Sequence, residues 1–447
     1  VQVDPFSSGF FDFEYERGAR IVRAVSFFRE HLQDNGYAHP IEGVVAVVGL
    51  LGGKVIDLTD ADPIVPIPRK KRNYGAHEVK NPRTDIKPLH IEQPEGASFK
   101  VDGWKVDWQK WNFRVGFTPR EGLVLHQLAY QDGDRKRSLI HRASVTEMVV
   151  PYADPTANHY WKSAFDAGEY GLGRLANCLE LGCDCLGHIH YFDVPAADDL
   201  GQPMLMKNAI CMHEEDYGIL WKHYEFRNGI YEVRRSRRLM ISFFATVGNY
   251  DYGFYWYLYQ DGSIQLEAKL TGIIQTAAVT PGEAYPWGGM VDEGLGGPTH
   301  QHFFNARLHM DVDGGGNTVT EHDFVPRPWG DDNPYGNVFD TTARTLKREL
   351  DAASLANGAT GRYWKVSNPS AANSELSNCE LPLPVWMSKR VSCPESEILR
   401  QATATSFAAT SSGIVVGTRH VVPRASWRGA MYGSPEAYDV GRSREPV

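Results

Sequence analysis

The stretch Tyr252–Leu270, YGFYWYLYQDGSIQLEAKL, decides the fold class. Asp261-Gly262 is a turn signal, and the segments on either side alternate between two faces with the period of a strand. An antiparallel hairpin follows. Working outward, runs of the same kind recur between turn residues at Phe99–Val101, Trp108–Phe117, Gly122–Tyr130, Arg142–Val150 and Leu239–Val247. Short strands at such spacing predict a mainly β chain built on one big antiparallel domain. The 11 Trp, 21 Tyr and 20 Phe point the same way, because aromatic rings suit a pleated, half-buried surface better than a helical bundle.

Upstream, residues 13–31 (FEYERGARIVRAVSFFREH) place Ile21, Val25 and Phe28 on one helical face, and Asn35-Gly36 would stop the helix. Ile41–Val48 and Lys54–Leu58 flank Leu51-Gly52-Gly53 as a hairpin, so residues 1–65 are expected to form a small α+β domain. Residues 66–90, with PRKKR at Pro68–Arg72, read as a linker rather than a nucleic-acid patch. The β domain then takes residues 91–447, with a Ser/Thr/Ala-rich texture after about 380 and an atypical tail after about 390.

Lys and Arg number 46 against 55 Asp and Glu, a net charge of −9. That balance argues against a basic nucleic-acid binder, so Arg234-Arg235-Ser236-Arg237-Arg238 is expected to serve strand pairing. The longest apolar run, Gly43–Gly53, falls well short of the roughly 20 residues of a membrane span, and no membrane partner is expected. Cys178, Cys183, Cys185, Cys211, Cys379 and Cys393 are too few for a disulfide scaffold and show no paired CxxC pattern, which leaves room for one isolated bridge. The start at Val1 carries no signal-like segment, and the compartment stays open.

Three places carry possible chemistry. His300 and His302 in GGPTHQHFF would share one strand face, where both imidazoles could hold one metal ion; as a bare pair they read more readily as two half-exposed polar positions on a strand. Tyr250, between Asn249 and Asp251, emerges where the apolar strand ISFFA ends, although a tyrosine at a sheet end usually only buries its ring. Asp166 lies between apolar neighbours before a glycine, so burial would raise its pKa toward that of a working base; the same residue could be an ordinary turn or cap.

Taken together, TVGNYDYGFYW and GGPTHQH some fifty residues later, preceded by VPYADP (Val150–Pro155), FDAGEYG, GCDCLG and ICMHEED, resemble the copper amine oxidases, most closely the bacterial members. The similarity runs from about Pro5 to Phe407. It implies a large antiparallel β-sandwich after the small domain, and oxidative deamination of a primary amine by O₂ to an aldehyde, ammonia and hydrogen peroxide. By the same resemblance, Tyr250 is the precursor of topaquinone, Asp166 the catalytic base, Tyr152 the quinone's hydrogen-bond partner, and Asn249 a holder of the ring. His300 and His302 would be two of three copper ligands, Cys185 and Cys211 the disulfide, and Cys178 and Cys183 free, buried thiols. A homodimer is the implied assembly.

Three positions depart from the family pattern. Ala164 stands where bacterial relatives often carry an aromatic gate, which predicts a wider substrate entrance. The peripheral calcium-like site appears as Leu308-His309-Met310-Asp311, a poor set for a hard cation. His420, in Gly417–Arg424 (GTRHVVPR), echoes the segment of the third copper histidine with one residue extra before the proline. A catalytically inactive or truncated sandwich, lacking part of the C-terminal catalytic domain and with an incomplete copper site, is therefore the alternative reading, and a zinc hydrolase using the histidine pair with Asp166 is a third that leaves the Asn-Tyr-Asp context without a purpose.

Overall fold

The computed structural model describes residues 1–372 apart from 8, 63, 79–82, 164 and 356, together with the backbone of the strands Asn378–Pro384, Ala404–Thr410 and Gly413–Arg419. Ala164 and His420 lie outside the described residues.

The chain opens with a four-stranded antiparallel sheet of β1 (Gln2–Phe6), β2 (Ile21–Phe27), β3 (Pro40–Gly49) and β4 (Lys54–Asp60), paired in sequence order. The hairpin expected after residue 41 is β3–β4. The helix expected within 13–31 is a correction: only Glu14–Glu16 makes a short 3₁₀ turn, and residues 21–27 form β2. The segment IVRAVSF fits both periods, and pairing with β1 and β3 selects the strand, which buries Arg23, Val25 and Phe27 on one face. Arg23 is the cost of that choice. Its guanidinium is buried against Glu16 at 3.2 Å, with both side chains 2% exposed, and is ringed by Phe11, Phe13, Tyr160 and Trp161. Removing one member leaves the other charge buried and unpaired, so Glu16→Ala is expected to cost about 3–5 kcal/mol, read as a lower denaturant midpoint.

The basic run after β4 is a strap pinned by ion pairs. Lys70 and Arg72 meet Asp292, while Lys71 lies 2.8 Å from Glu30. His39 Nδ1 sits 2.5 Å from the Pro68 carbonyl.

Next come β5 (Phe99–Asp102), β6 (Lys105–Trp108), β7 (Trp111–Thr118), β8 (Gly122–Asp132) and β9 (Arg135–Val149), a meander that continues through Phe303–Met310 into a nine-stranded sheet. Facing it are β10 (Ile189–Ala197), β11 (Pro203–Glu225), β12 (Ile230–Val247), β13 (Tyr250–Tyr259) and β14 (Ile264–Gly272), a five-stranded sheet in sequence order. The hairpin that fixed the fold class is β13–β14. Its Tyr252, Phe254, Trp256 and Leu258 pack between the sheets against Trp108, Phe113, Leu125 and Val145. The intervening Tyr255, Tyr257 and Tyr259 are buried on the opposite face, so β13 is covered on both sides. Trp111 Nε1 donates to the Tyr259 carbonyl at 2.7 Å and Trp108 Nε1 to Glu214 at 2.9 Å, clamping sheet to sheet with satisfied indole donors.

The arginine run on β12 does serve strand pairing. Arg235 bonds Asp216, Arg238 bonds Glu215 at 2.7 Å, and Arg237 lies 3.7 Å from Glu214, all across the β11–β12 ladder, while Arg234 bonds Glu232 on its own strand. Cys185 and Cys211 form a disulfide. Cys178 and Cys183, expected to be buried, are exposed. Both fall in the loop segment before β10, where glycines and short turns leave little to cover them. Among the described residues no helix is long and apolar enough to cross a membrane.

Candidate active site

Strands β12 and β13 are joined by Gly248-Asn249, since Val247 pairs directly with Tyr250. A two-residue turn of this kind needs positive φ at its first central position, and Gly248 supplies it at 63°. Tyr250 is thereby placed on the first rung of β13. Asn249 is tied down on both sides: its Nδ2 donates to the Ile273 carbonyl at 2.8 Å, and its own carbonyl accepts from Ile273 N at 2.7 Å. Thr246 donates to Asp251 from the partner strand. The polar residues around Tyr250 therefore hold the turn.

Two further segments meet the Tyr250 ring. Residues 150–153 and 299–301 extend the pairing of β9 with Phe303–Met310: Ala153 N donates to Thr299 O at 2.8 Å, Gln301 N to Pro151 O at 3.2 Å, and Tyr152 bridges His300. The Tyr250 hydroxyl then lies 3.0 Å from His300 Nε2 and 3.4 Å from the Tyr152 hydroxyl, and accepts from Gln275 N at 3.2 Å. His302 crosses the Tyr250 ring edge-on at a centroid distance of 5.2 Å, and its Nδ1 lies 3.0 Å from the hydroxyl of the fully buried Tyr252. The two imidazole centroids are 5.0 Å apart.

These nitrogens suit a metal. His300 Nδ1 donates to the Pro298 carbonyl at 2.8 Å, which fixes the tautomer and leaves Nε2 a lone pair aimed at the Tyr250 oxygen. Burial lowers the pKa of His300, and burial with the neighbouring His300 pushes His302 down to about 3, so both rings are neutral, the ligating form. Neutral imidazoles beside a phenol oxygen form a donor set that copper accepts. Burial raises the pKa of Tyr250 and, with Tyr250 alongside, of Tyr152.

Asp166 sits 7% exposed at the head of a five-residue turn, Asp166–Tyr170, whose entry Phe165 bridges Val149 at the end of β9. Glu147 caps the turn by accepting from Ala167 N at 2.8 Å and Gly168 N at 3.0 Å. Burial, then the charges of Glu147 and Glu169, hold the Asp166 carboxyl well above the usual carboxylate range. Ala167, next along the chain, lies in the same apolar cluster as Tyr152, Tyr250 and Tyr252, and after burial the Asp166 charge also raises the pKa of Tyr152 and Tyr252.

The loop from Tyr152 to Asp166 is fastened to the first sheet. Asn158 Nδ2 donates to Ile41 O at 3.0 Å and its Oδ1 accepts from Gly43 N at 2.9 Å. His159 lies 3.7 Å from Glu42 of β3, and Asp154 accepts from the Tyr285 hydroxyl.

The structure thus brings together Tyr152, Asn249, Tyr250, His300, His302 and Asp166 from four separate segments. Glu147, Gln275 and the Pro298 carbonyl were not foreseen: each acts through a backbone group or as one carboxylate on a strand, which leaves no mark in a single sequence. In the segment expected to correspond to a peripheral cation site, Asp311 accepts from the Ser138 hydroxyl at 2.6 Å, and nearby Asp313 is paired with Arg137 at 2.9 Å, so these carboxylates are already engaged.

Comparison with known proteins extends beyond these residues. The family model described as copper amine oxidase, N3 domain, matches residues 1–77, and that described as copper amine oxidase, enzyme domain, matches residues 100–380. The chain is 50% identical over 374 residues to a histamine oxidase of Arthrobacter globiformis, covering 83% of this chain and 54% of the relative. It is 44% identical over 416 residues to a peroxisomal copper-containing diamine oxidase of Nicotiana tabacum, covering 90% and 53%. The chain therefore spans about half the length of these curated relatives. A crystal structure of a copper-containing benzylamine oxidase from Hansenula polymorpha superimposes with a TM-score of 0.80 at 26% identity, over 96% of this chain and 75% of that one.

Proposed function

The chain belongs to the copper amine oxidase family, and from that premise we propose that it carries the catalytic centre of a primary-amine oxidase, in which Tyr250 is the residue converted to topaquinone beside copper. The observation that supports this best is the 3.0 Å approach of the Tyr250 hydroxyl to His300 Nε2, with His302 against the same ring. His300 and His302 would hold the ion, with His420 the sequence candidate for a third ligand. The quinone, once formed, supplies a carbonyl that takes up the amine and an electron sink for its oxidation, and copper with O₂ supplies the means to make and reoxidise it.

The chain's own residues do the rest. Asp166 removes the proton from the carbon next to the amine nitrogen, and its raised pKa gives the carboxylate the basicity for that step once it is ionised. Tyr152 orients the oxygen of residue 250 through its hydroxyl. Asn249, bound on both sides to Ile273, fixes where the ring can swing. Seven-percent exposure at Asp166 keeps bulk water from competing for the proton. The products would be an aldehyde, ammonia and hydrogen peroxide.

A homodimer fits the long β11–β12 hairpin, which beyond Asp216 exposes Trp221, Tyr224, Phe226 and Tyr231 on a projecting ribbon. A second copy is the partner proposed for it, and light scattering should return twice the monomer mass.

Aerobic incubation of apoprotein with copper tests the catalytic reading. A visible absorbance band should develop with time, and phenylhydrazine should then label the peptide containing Tyr250. A copper-loaded protein with no band and no adduct would overturn this reading and leave the inactive sandwich in its place.

A further inference from the structure

On the far side of the five-stranded sheet, away from Tyr250, lies a second collection of soft donors. Cys185 Sγ, Cys211 Sγ and a His213 ring nitrogen lie within 4.8 Å of one another, and all three residues are buried. Strand register places them deliberately. Cys211 and His213 are two apart on β11 and so share a face, and His213 pairs across to Met240, which pairs in turn to Tyr257. Cys185, Cys211, Met240 and Tyr257 belong to one closed apolar cluster. His213 Nε2 is 3.3 Å from Glu215, whose other oxygen is held at 2.7 Å by Arg238, and the Arg238 guanidinium lies 3.8 Å over the Tyr257 ring.

That chain of contacts has a chemical direction. Glu215 is placed to accept a hydrogen bond from Nε2–H, and in that neutral tautomer Nδ1 carries the lone pair. The atom facing Nδ1, at 3.5 Å, is Cys211 Sγ. While Cys211 is bonded to Cys185 its sulfur has no hydrogen to offer, and in that tautomer two lone-pair atoms face each other among buried side chains. A carboxylate–histidine pair with its free nitrogen turned onto cysteine sulfur is the arrangement that orients a metal ligand.

We propose that reduction of the Cys185–Cys211 disulfide opens a second metal site, in which both sulfurs and His213 Nδ1 bind a soft closed-shell ion of the cuprous type. Thiolate and imidazole suit such an ion, and the thioether of Met240 in the same cluster adds a soft neighbour. The balance is simple. A phosphine reductant and water convert the disulfide to two thiols and a phosphine oxide, and binding of one cuprous ion displaces the two thiol protons. The site is separate from His300 and His302, and it would make metal content on this face depend on redox state.

The test uses the full chain with Cys178, Cys183, Cys379 and Cys393 replaced by Ser, so that no other thiol competes. Oxidised and phosphine-reduced samples, desalted without air, are titrated with cuprous ion against a chromophoric chelator. The reduced protein should bind one equivalent more than the oxidised protein and gain ultraviolet sulfur-to-metal absorbance. Glu215→Gln, which keeps every donor atom, should weaken that equivalent by about 10–100-fold, and His213→Ala should weaken it further. Equal stoichiometry in the two redox states overturns the proposal, with no substitution in the site needed to see it. So does unchanged affinity in both variants, which would mean capture by a bare dithiol.

Discussion

Asp166→Asn should lower kcat for a primary amine by about 10²–10⁴-fold, the usual contribution of a positioned base, while leaving the protein more stable than before. Both halves come from the same carboxyl. Burial, Glu147 and Glu169 raise its folded pKa above the unfolded value, so the neutral form is the one the fold favours. The stability owed to that preference is complete below the unfolded pKa and is lost as pH rises through the folded one. Asparagine carries no such charge. At about pH 8 the variant should melt above the wild type, and the gap should close on acidification. In the wild type the acidic limb of kcat/KM should lie above the ordinary carboxylate range, because only the ionised form accepts a proton. A variant with wild-type kcat would remove Asp166 from the role of base, and one that melts lower at every pH would mean that the fold does not hold its carboxyl neutral.

Tyr250→Phe should abolish the visible band and the phenylhydrazine adduct entirely, since the ring oxygen from which the quinone would be built is absent. The loss should be chemical rather than structural. The hydroxyl accepts from Gln275 N and contacts His300 and Tyr152, so deleting it costs on the order of 1–3 kcal/mol, too little to unfold a domain with this core. Copper binding and circular dichroism should persist while activity disappears. An adduct on any other peptide of the variant would assign the reactive carbonyl elsewhere.

How much of this was legible depends on the kind of signal. A strand with strict alternation, such as β14, or an aromatic run closed by a turn, such as β13, declares itself, and the motif around Tyr250 carries its chemistry in residue type. Segment 21–27 misled because IVRAVSF satisfies the helical and the extended period together; only partners on both sides, β1 and β3, break the tie. Cys178 and Cys183 misled because burial of a thiol follows from what covers it, and the loop before β10 covers neither. The site itself was readable as a set of residues but not as an arrangement. Glu147 enters through the backbone of residues 167 and 168, and the Pro298 carbonyl chooses the tautomer of His300, neither of which has a sequence signature.

Asn158 bonds the backbone of β3 through both ends of its amide, in the middle of the stretch that runs from Tyr152 to Asp166. The small leading sheet is therefore a fixed datum for the candidate catalytic stretch, as a jig is for a part being machined. Cutting the chain after residue 60 would spare every candidate catalytic side chain and yet leave the spacing of Tyr152 and Asp166 without its external reference, and turnover should become sloppy before the sandwich comes apart.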